Sequence, residues 1–142
     1  GTGNSLNNVI AGNNAANTLK GEAGNDILNG EGGRDILTGG KGADQFLFDS
    51  VGDMATGSVR DVISDFSRSQ GDRISLAAID ADGDAANGLQ SFAWVASFSG
   101  AAGQLRFNSA ARVVAGDING DGVADFEIGV NASSLAASDF IL

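Results

Sequence analysis

The sequence predicts an all-β fold: a right-handed parallel β-roll over residues 1–47, built at 18 residues per coil, then a β-sandwich-like C-terminal cap over residues 48–142. Three observations lead there. Glycine recurs at Gly3, Gly12, Gly21, Gly30 and Gly39, a strict interval of nine. Each nine-residue block carries a large apolar residue at the same place, the mark of a stacked repeat rather than of a packed helix. Beyond the last block the chain breaks into short apolar segments separated by Gly, Asp, Asn and Ser, and Pro is absent throughout.

The five blocks read GNSLNNVIA, GNNAANTLK, GEAGNDILN, GEGGRDILT and GGKGADQFL. Glycine at the first place, and at the fourth in Gly24, Gly33 and Gly42, permits a tight turn whose carbonyls point at one spot. Blocks one and two lack that second glycine, carrying Leu6 and Ala15 instead. The sixth place reads Asn8, Asn17, Asp26, Asp35 and Asp44, so the last three turns end on a carboxylate beside those carbonyls. The final three residues of each block suit a very short strand whose central residue points inward. Two blocks make one coil, so Ile10, Leu28 and Phe46 form one inward ladder, facing Leu19 and Leu37 across a thin roll.

The cap is expected to contain strands at 59–66, 73–79, 91–98, 104–107, 112–115, 125–130 and 140–142, with alternation clearest in Gln104–Phe107 and Phe126–Ile128. Phe66, Phe92, Trp94, Phe98, Phe107 and Phe126 are its expected core, the single Trp serving as packing rather than as a ligand-stacking surface. Its role is to cover the apolar edge of the last coil. Asp117, Asn119, Asp121 and Asp125, with Gly122 between, match the first half of an EF-hand loop. The bidentate acid of that loop is replaced by Ile128 and the flanks read as strands, so a helix–loop–helix sensor is excluded. A weaker cation site and a plain hairpin turn both remain open for it. Asp80, Asp82 and Asp84 read as an exposed acidic loop.

Composition narrows the chemistry. The 142 residues contain 18 acidic and 8 basic side chains, a net charge of −10, no Cys and no His. Disulfides, zinc, copper and iron–sulfur sites, Ser–His–Asp triads and Cys–His pairs are all excluded. What remains is oxygen, from 15 Asp, 3 Glu, 12 Asn and backbone carbonyls, the ligand set of a hard cation such as calcium. The acidic surface repels phosphate backbones, so no nucleic-acid partner is expected, and no apolar run is long enough for stable membrane insertion. No N-terminal export signal is evident, which suggests a fragment or another export route. A carboxylate-pair hydrolase is a poor reading, because nothing selects one pair among so many acids. A metal-free solenoid, with Gly and Asn as turn residues only, is the alternative for blocks one and two.

The block pattern resembles the RTX nonapeptide, GGxGxDxUx. That resemblance implies several calcium ions held between stacked turns, with Asp26 and Asp44 sharing one ion together with carbonyls around Glu22, Gly24, Gly40 and Gly42. Asn17 with Asp35, near Glu31 and Gly33, and Asn8 with Asp26 are poorer pairs, since an amide oxygen is neutral. The segments DVISDFSRSQGDRISLAAIDA, GQLRF and GDINGDGVADFEI are similar to the C-terminal domain of serralysin-type secreted metalloproteases. That similarity implies further calcium ligands at Asp53, Asp61 and Asp72. It carries no protease activity, because the zinc helix of that family needs His. Asp139-Phe140-Ile141-Leu142 resembles the uncleaved C-terminal signal of type I export. The implied protein is a non-catalytic module, calcium-ordered outside a bacterial cell and monomeric, whose partners are an upstream domain of the same polypeptide and the type I secretion apparatus. A carbohydrate or cell-surface binding module is the alternative, to be recognised by a basic or aromatic stripe along the roll.

Overall fold

A computed structural model describes all residues, 1–142, as two β-sheets and three 3₁₀ turns, with no α-helix. In chain order the strands are β1 (Val9–Ala11), β2 (Thr18–Ala23), β3 (Ile27–Asn29), β4 (Ile36–Lys41), β5 (Gln45–Leu47), β6 (Asp61–Ile63), β7 (Arg73–Ser75), β8 (Ala93–Trp94), β9 (Gln104–Asn108), β10 (Val113–Asp117), β11 (Phe126–Val130) and β12 (Phe140–Ile141). The repeat strands alternate between the sheets because each block reverses the chain once. One sheet runs β1-β3-β5-β7-β12 and the other β2-β4-β6-β11-β10-β9-β8. All seven segments expected as cap strands contain one, mostly shorter than the apolar run that marked it.

Parallel register stacks the eighth residue of each block on its counterpart one coil later. Ile10 lies opposite Leu28, and Leu28 opposite Phe46. Leu19 lies opposite Leu37 in the facing sheet. Leu28, Leu37 and Phe46 are fully buried. Val9 and Ala11, which flank Ile10, point outward, the period-two consequence of a strand only three residues long.

The nine-residue period ends at Leu47, but the coil does not. β6 stacks on β4, and β7 on β5, so both ladders continue, through Ile63 to Val130 on one side and through Ile74 to Phe140 on the other. The sequence offset between coils grows from 18 to 26 and 28. The added residues include two 3₁₀ turns, Val51–Asp53 and Gly57–Val59. Residues 1–47 and 48–142 therefore share both sheets and a single core of 19 buried side chains. The boundary at residue 48 is a change of sequence pattern with no break in hydrogen bonding.

The cap grows from the roll's own sheet. β11 pairs in parallel with β6, and β9, β10 and β11 then form an antiparallel meander. Phe92 and Phe126 meet edge to face with centroids 5.6 Å apart, inside the core, and Phe66 lies 6.4 Å from Phe46. Trp94 and Phe107 are half-buried against that core, and Trp94 packs on Phe140 at 5.1 Å. Phe98 differs from expectation. It lies outside the core, half-exposed, with the Arg106 guanidinium 4.6 Å above its ring, because the strand around Trp94 is too short to carry it inward. Phe140 and Ile141 close the sheet as β12 on β7, and Arg68 grips the preceding Asp139 through Nε at 2.7 Å and through Nη2.

Because Phe46 sits between Leu28 and Ile74 and packs near Phe66 of the cap, Phe46→Ala is expected to cost about 3–5 kcal/mol of stability. Thermal denaturation in saturating calcium measures it; a loss under about 1 kcal/mol contradicts this account of the core.

Candidate metal centre

The sixth residues of the blocks form two columns, one along each edge of the roll. In the first, the Asn8 N–H donates to Asp26 Oδ1 at 2.7 Å, the Asp26 N–H to Asp44 Oδ1 at 2.9 Å, and the Asp44 N–H to Asp72 Oδ1 at 3.1 Å. In the second, the Asn17 N–H donates to Asp35 Oδ1 and the Asp35 N–H to Asp61 Oδ1, both at 2.7 Å. One oxygen of each carboxylate is thus fixed by the backbone one coil earlier. The other, Oδ2, is buried with no hydrogen-bond partner in Asp26, Asp35, Asp44 and Asp61. The two ion pairs of the chain, Arg60–Glu127 and Arg68–Asp139, lie elsewhere. Buried carboxylates left this way cost several kcal/mol each unless a cation answers them.

Backbone oxygens face the same places. A Cβ built on Gly21 would collide with Asp26 Oδ2 and with the Gly39 carbonyl oxygen, so those two oxygens converge on one point. A Cβ on Gly40 would strike the Glu22 carbonyl, and one on Gly42 the Gly24 carbonyl. The turns of blocks three and five therefore stack with carbonyls directed into the gap between them. No three carboxylates converge on one position, so a cation held here would draw its remaining ligands from these carbonyls. An all-oxygen set with few carboxylates fits calcium.

The turn itself explains why only three blocks are built this way. Its second and fourth residues are left-handed: Glu22 at φ 82° and Gly24 at 109°, Glu31 at 60° and Gly33 at 111°, Gly40 at 103° and Gly42 at 124°. Only glycine adopts such angles freely. Glu22 and Glu31 therefore bear backbone strain in their turns. Blocks one and two, with Leu6 and Ala15 at the fourth place, take another course. The Leu6 N–H donates to Asn4 Oδ1 and the Ala15 N–H to Asn13 Oδ1, while Asn8 Oδ1 and Asn17 Oδ1 accept from the Asn4 and Asn13 N–H groups. These are asparagine-closed turns, and the amide oxygens facing Gly3 and Gly12 already have donors.

Burial raises the pKa of Asp61 to about 6, reinforced by the charges of Asp35 and Asp53. Burial is likewise the chief cause of raised values at Asp35, Asp44, Asp53 and Asp72. Asp53 sits in the 3₁₀ turn after β5 and acts electrostatically on Asp35 and Asp61, so it joins the second column. Asp72 ends the first column, its Oδ2 accepting from the Ser67 N–H at 2.8 Å. The 117–125 segment runs from the last residue of β10 through the loop that leads to β11. Both oxygens of Asp117 accept from Gly120 and Gly122 N–H groups, and both of Asp125 accept from Ile118 and Asn119. Loop closure thus occupies the carboxylates of Asp117 and Asp125, while Asp121 accepts through Oδ1 alone, from the Val123 N–H at 2.8 Å. Sequence reasoning missed Asp65, whose two oxygens accept from the Gly39 and Gly40 N–H groups at 2.9 and 2.8 Å. Asp65 lies outside the nine-residue register, so periodicity carried no signal for it.

Comparison with known proteins agrees with this geometry. The family described as the RTX calcium-binding nonapeptide repeat, in four copies, matches overlapping windows at residues 2–37, 11–46 and 21–53. No curated protein matches the chain. Two solution structures from the mannuronan C5-epimerase of Azotobacter vinelandii are similar to it. The AlgE6R2 subunit is 25% identical with a TM-score of 0.62, the match covering 99% of this chain and 90% of that one. The AlgE6R3 subunit is 27% identical with a TM-score of 0.54, covering 98% and 80%. With glycine turns, aspartate columns and parallel coils all in the register of that repeat, residues 2–53 of this chain are RTX calcium-binding nonapeptide repeats.

Proposed function

We propose that the chain is a non-catalytic folding module of a larger exported bacterial protein, ordered by calcium between the stacked turns of blocks three to five and along the Asp61 and Asp72 coils that follow. The observation that carries this reading is the set of buried, unpartnered Oδ2 atoms on Asp26, Asp35, Asp44 and Asp61. Bound calcium supplies the positive charge that these oxygens lack. Without it, stacked carboxylates repel one another and the glycine-rich turns lose little by unfolding. RTX repeats occur in secreted bacterial proteins, and no helix here is long and apolar enough to cross a membrane. The catalytic domain, if the parent is an enzyme, lies upstream, for this chain has neither His nor Cys.

Circular dichroism tests the switch. In millimolar calcium at pH 7.5 the β signal is expected in full, and in excess chelator it is expected to collapse; an unchanged signal in chelator sinks the proposal. The pH dependence has a definite sign. The folded pKa values are raised above the unfolded value of 3.8, so the metal-free fold binds protons more tightly than the open chain. Its stability therefore falls as pH rises through about 6 and returns on acidification. In chelator, the folded fraction is expected to grow between pH 8 and pH 5, whereas a flat profile contradicts the buried-carboxylate account.

Type I export is the second part of the proposal. The terminal Asp139–Leu142 segment forms its strand only against β7, which itself stands on the repeat coils. An unfolded chain thus keeps its end free. A passenger fused upstream is expected to be exported by a type I apparatus and retained inside when residues 139–142 are deleted; equal export of both forms removes this role.

One observation favours a second reading, a surface for an anionic polysaccharide. Lys20, Thr38, Ser64, Asn131 and Arg112 form a row across the outer face, linked by the Thr38–Ser64 hydroxyl contact at 2.7 Å, the Asn131 side chain to the Ser64 carbonyl at 2.9 Å, and Arg112 to Asn131 at 2.6 Å. Beside it Arg60 and Arg112 flank a shallow groove of about 230 Å³ floored by Val62 and Gly129. The row contains no carboxylate, in a chain of net charge −10. The similar subunits come from an enzyme named for mannuronan, a polymer with a carboxylate on each residue. In calcium, oligomannuronate is expected to bind saturably, at least fivefold more weakly to Arg112→Ala; an unsaturated titration of the wild-type chain removes the reading.

A further inference from the structure

Asp65 belongs to no repeat, yet its carboxylate reaches into the last glycine turn. In the repeat, a first-place glycine N–H finds a backbone acceptor one coil later, Gly3 donating to the Lys20 carbonyl and Gly12 to the Asn29 carbonyl, both at 2.8 Å. Gly39 departs from this, because the Ser64 carbonyl beside it accepts from the Asn131 side chain and the Gly39 N–H turns to a carboxylate. Asp65 Oδ1 takes the Gly39 N–H at 2.9 Å and Oδ2 takes the Gly40 N–H at 2.8 Å, across 26 and 25 residues.

The second of these bonds has the larger consequence. The Gly40 N–H and the Gly39 carbonyl belong to one planar trans peptide, so they point in opposite directions. Holding that N–H on Asp65 aims the Gly39 oxygen the other way, and that oxygen converges with the unpartnered Asp26 Oδ2 at the place where Gly21 lacks a Cβ. The peptide lies between two glycines, with Gly40 left-handed at φ 103°, so no side chain resists its rotation. Asp65 is also an unpaired charge close enough to raise the pKa of both Asp44 and Asp72.

We propose that Asp65 is a positioning residue for the cation sites of the Asp26–Asp44–Asp72 column, locking the Gly39–Gly40 peptide so that its carbonyl serves the gap between blocks three and five and adding negative charge beside the column's end. This rests on the calcium reading above. The Asp35–Asp61 column on the opposite edge takes no hydrogen bond from it.

Calorimetric calcium titration and stopped-flow release into chelator, on the full chain preloaded with calcium, test the assignment with Asp65→Asn and Asp65→Ala. The alanine variant is expected to bind at least one ion tenfold more weakly and to release it at least tenfold faster, with the remaining ions unchanged. The asparagine variant, which is isosteric and keeps one acceptor, is expected to fall between the alanine variant and wild type. Wild-type affinity and release in both variants overturn the proposal. So does uniform weakening of every ion in Asp65→Asn, which marks general packing instead. Failure of the wild-type chain to bind calcium refutes the underlying reading, and is thereby distinct from failure of this one.

Discussion

Each aspartate of the repeat gives one oxygen to the N–H of the residue one coil earlier and keeps the other buried and unanswered. The first contact fixes the stacking of the coils, because a carboxylate that accepts from a turn exactly one register away resists slippage of either strand. The second leaves negative charge inside a roll only two thin sheets thick. Burial of a single apolar ladder on each side is modest support for so many ordered glycines. In the function proposed above, cation binding between turns and backbone order in the turns are a single event, in the sense that metal affinity is folding free energy.

The turn angles show how local chemistry sets where that event can happen. Gly42 permits a left-handed fourth residue, and the Gly24 carbonyl then lies where a side chain would have been. Leu6 and Ala15 do not permit it, and blocks one and two close their turns through Asn4 and Asn13 side chains. Asparagine thus stands in for both ion and carboxylate, completing a coil with neutral hydrogen bonds. The roll accordingly runs from a neutral, self-satisfied first coil to a charged one.

The cap extends this arrangement beyond covering an apolar edge. Ile63 and Ile74 prolong the two ladders, Asp61 and Asp72 prolong the two columns, and Arg68 draws in the C-terminal strand through Asp139. Order in the last coil is transmitted to the chain's end through backbone pairing between β7 and β12.

By itself the sequence determined the parallel roll, its 18-residue coil, the inward ladder and the aspartates at the turn ends, because a strict period maps linear position onto register without long-range information. It marked every cap strand too, since alternation survives in segments of two to five residues. Tertiary structure alone decided the rest. The coils continue past residue 48 with offsets of 26 and 28, set by how 3₁₀ turns are accommodated rather than by any repeat. Phe98 was counted as core on its hydrophobicity, but its position under Arg106 depends on how early the strand around Trp94 ends. Asp53 was suggested by the resemblance alone; its place beside the Asp35–Asp61 column is set by the 3₁₀ turn that follows β5. Asp65 was invisible, since its meaning lies in two glycine N–H groups left without acceptors where the period stops.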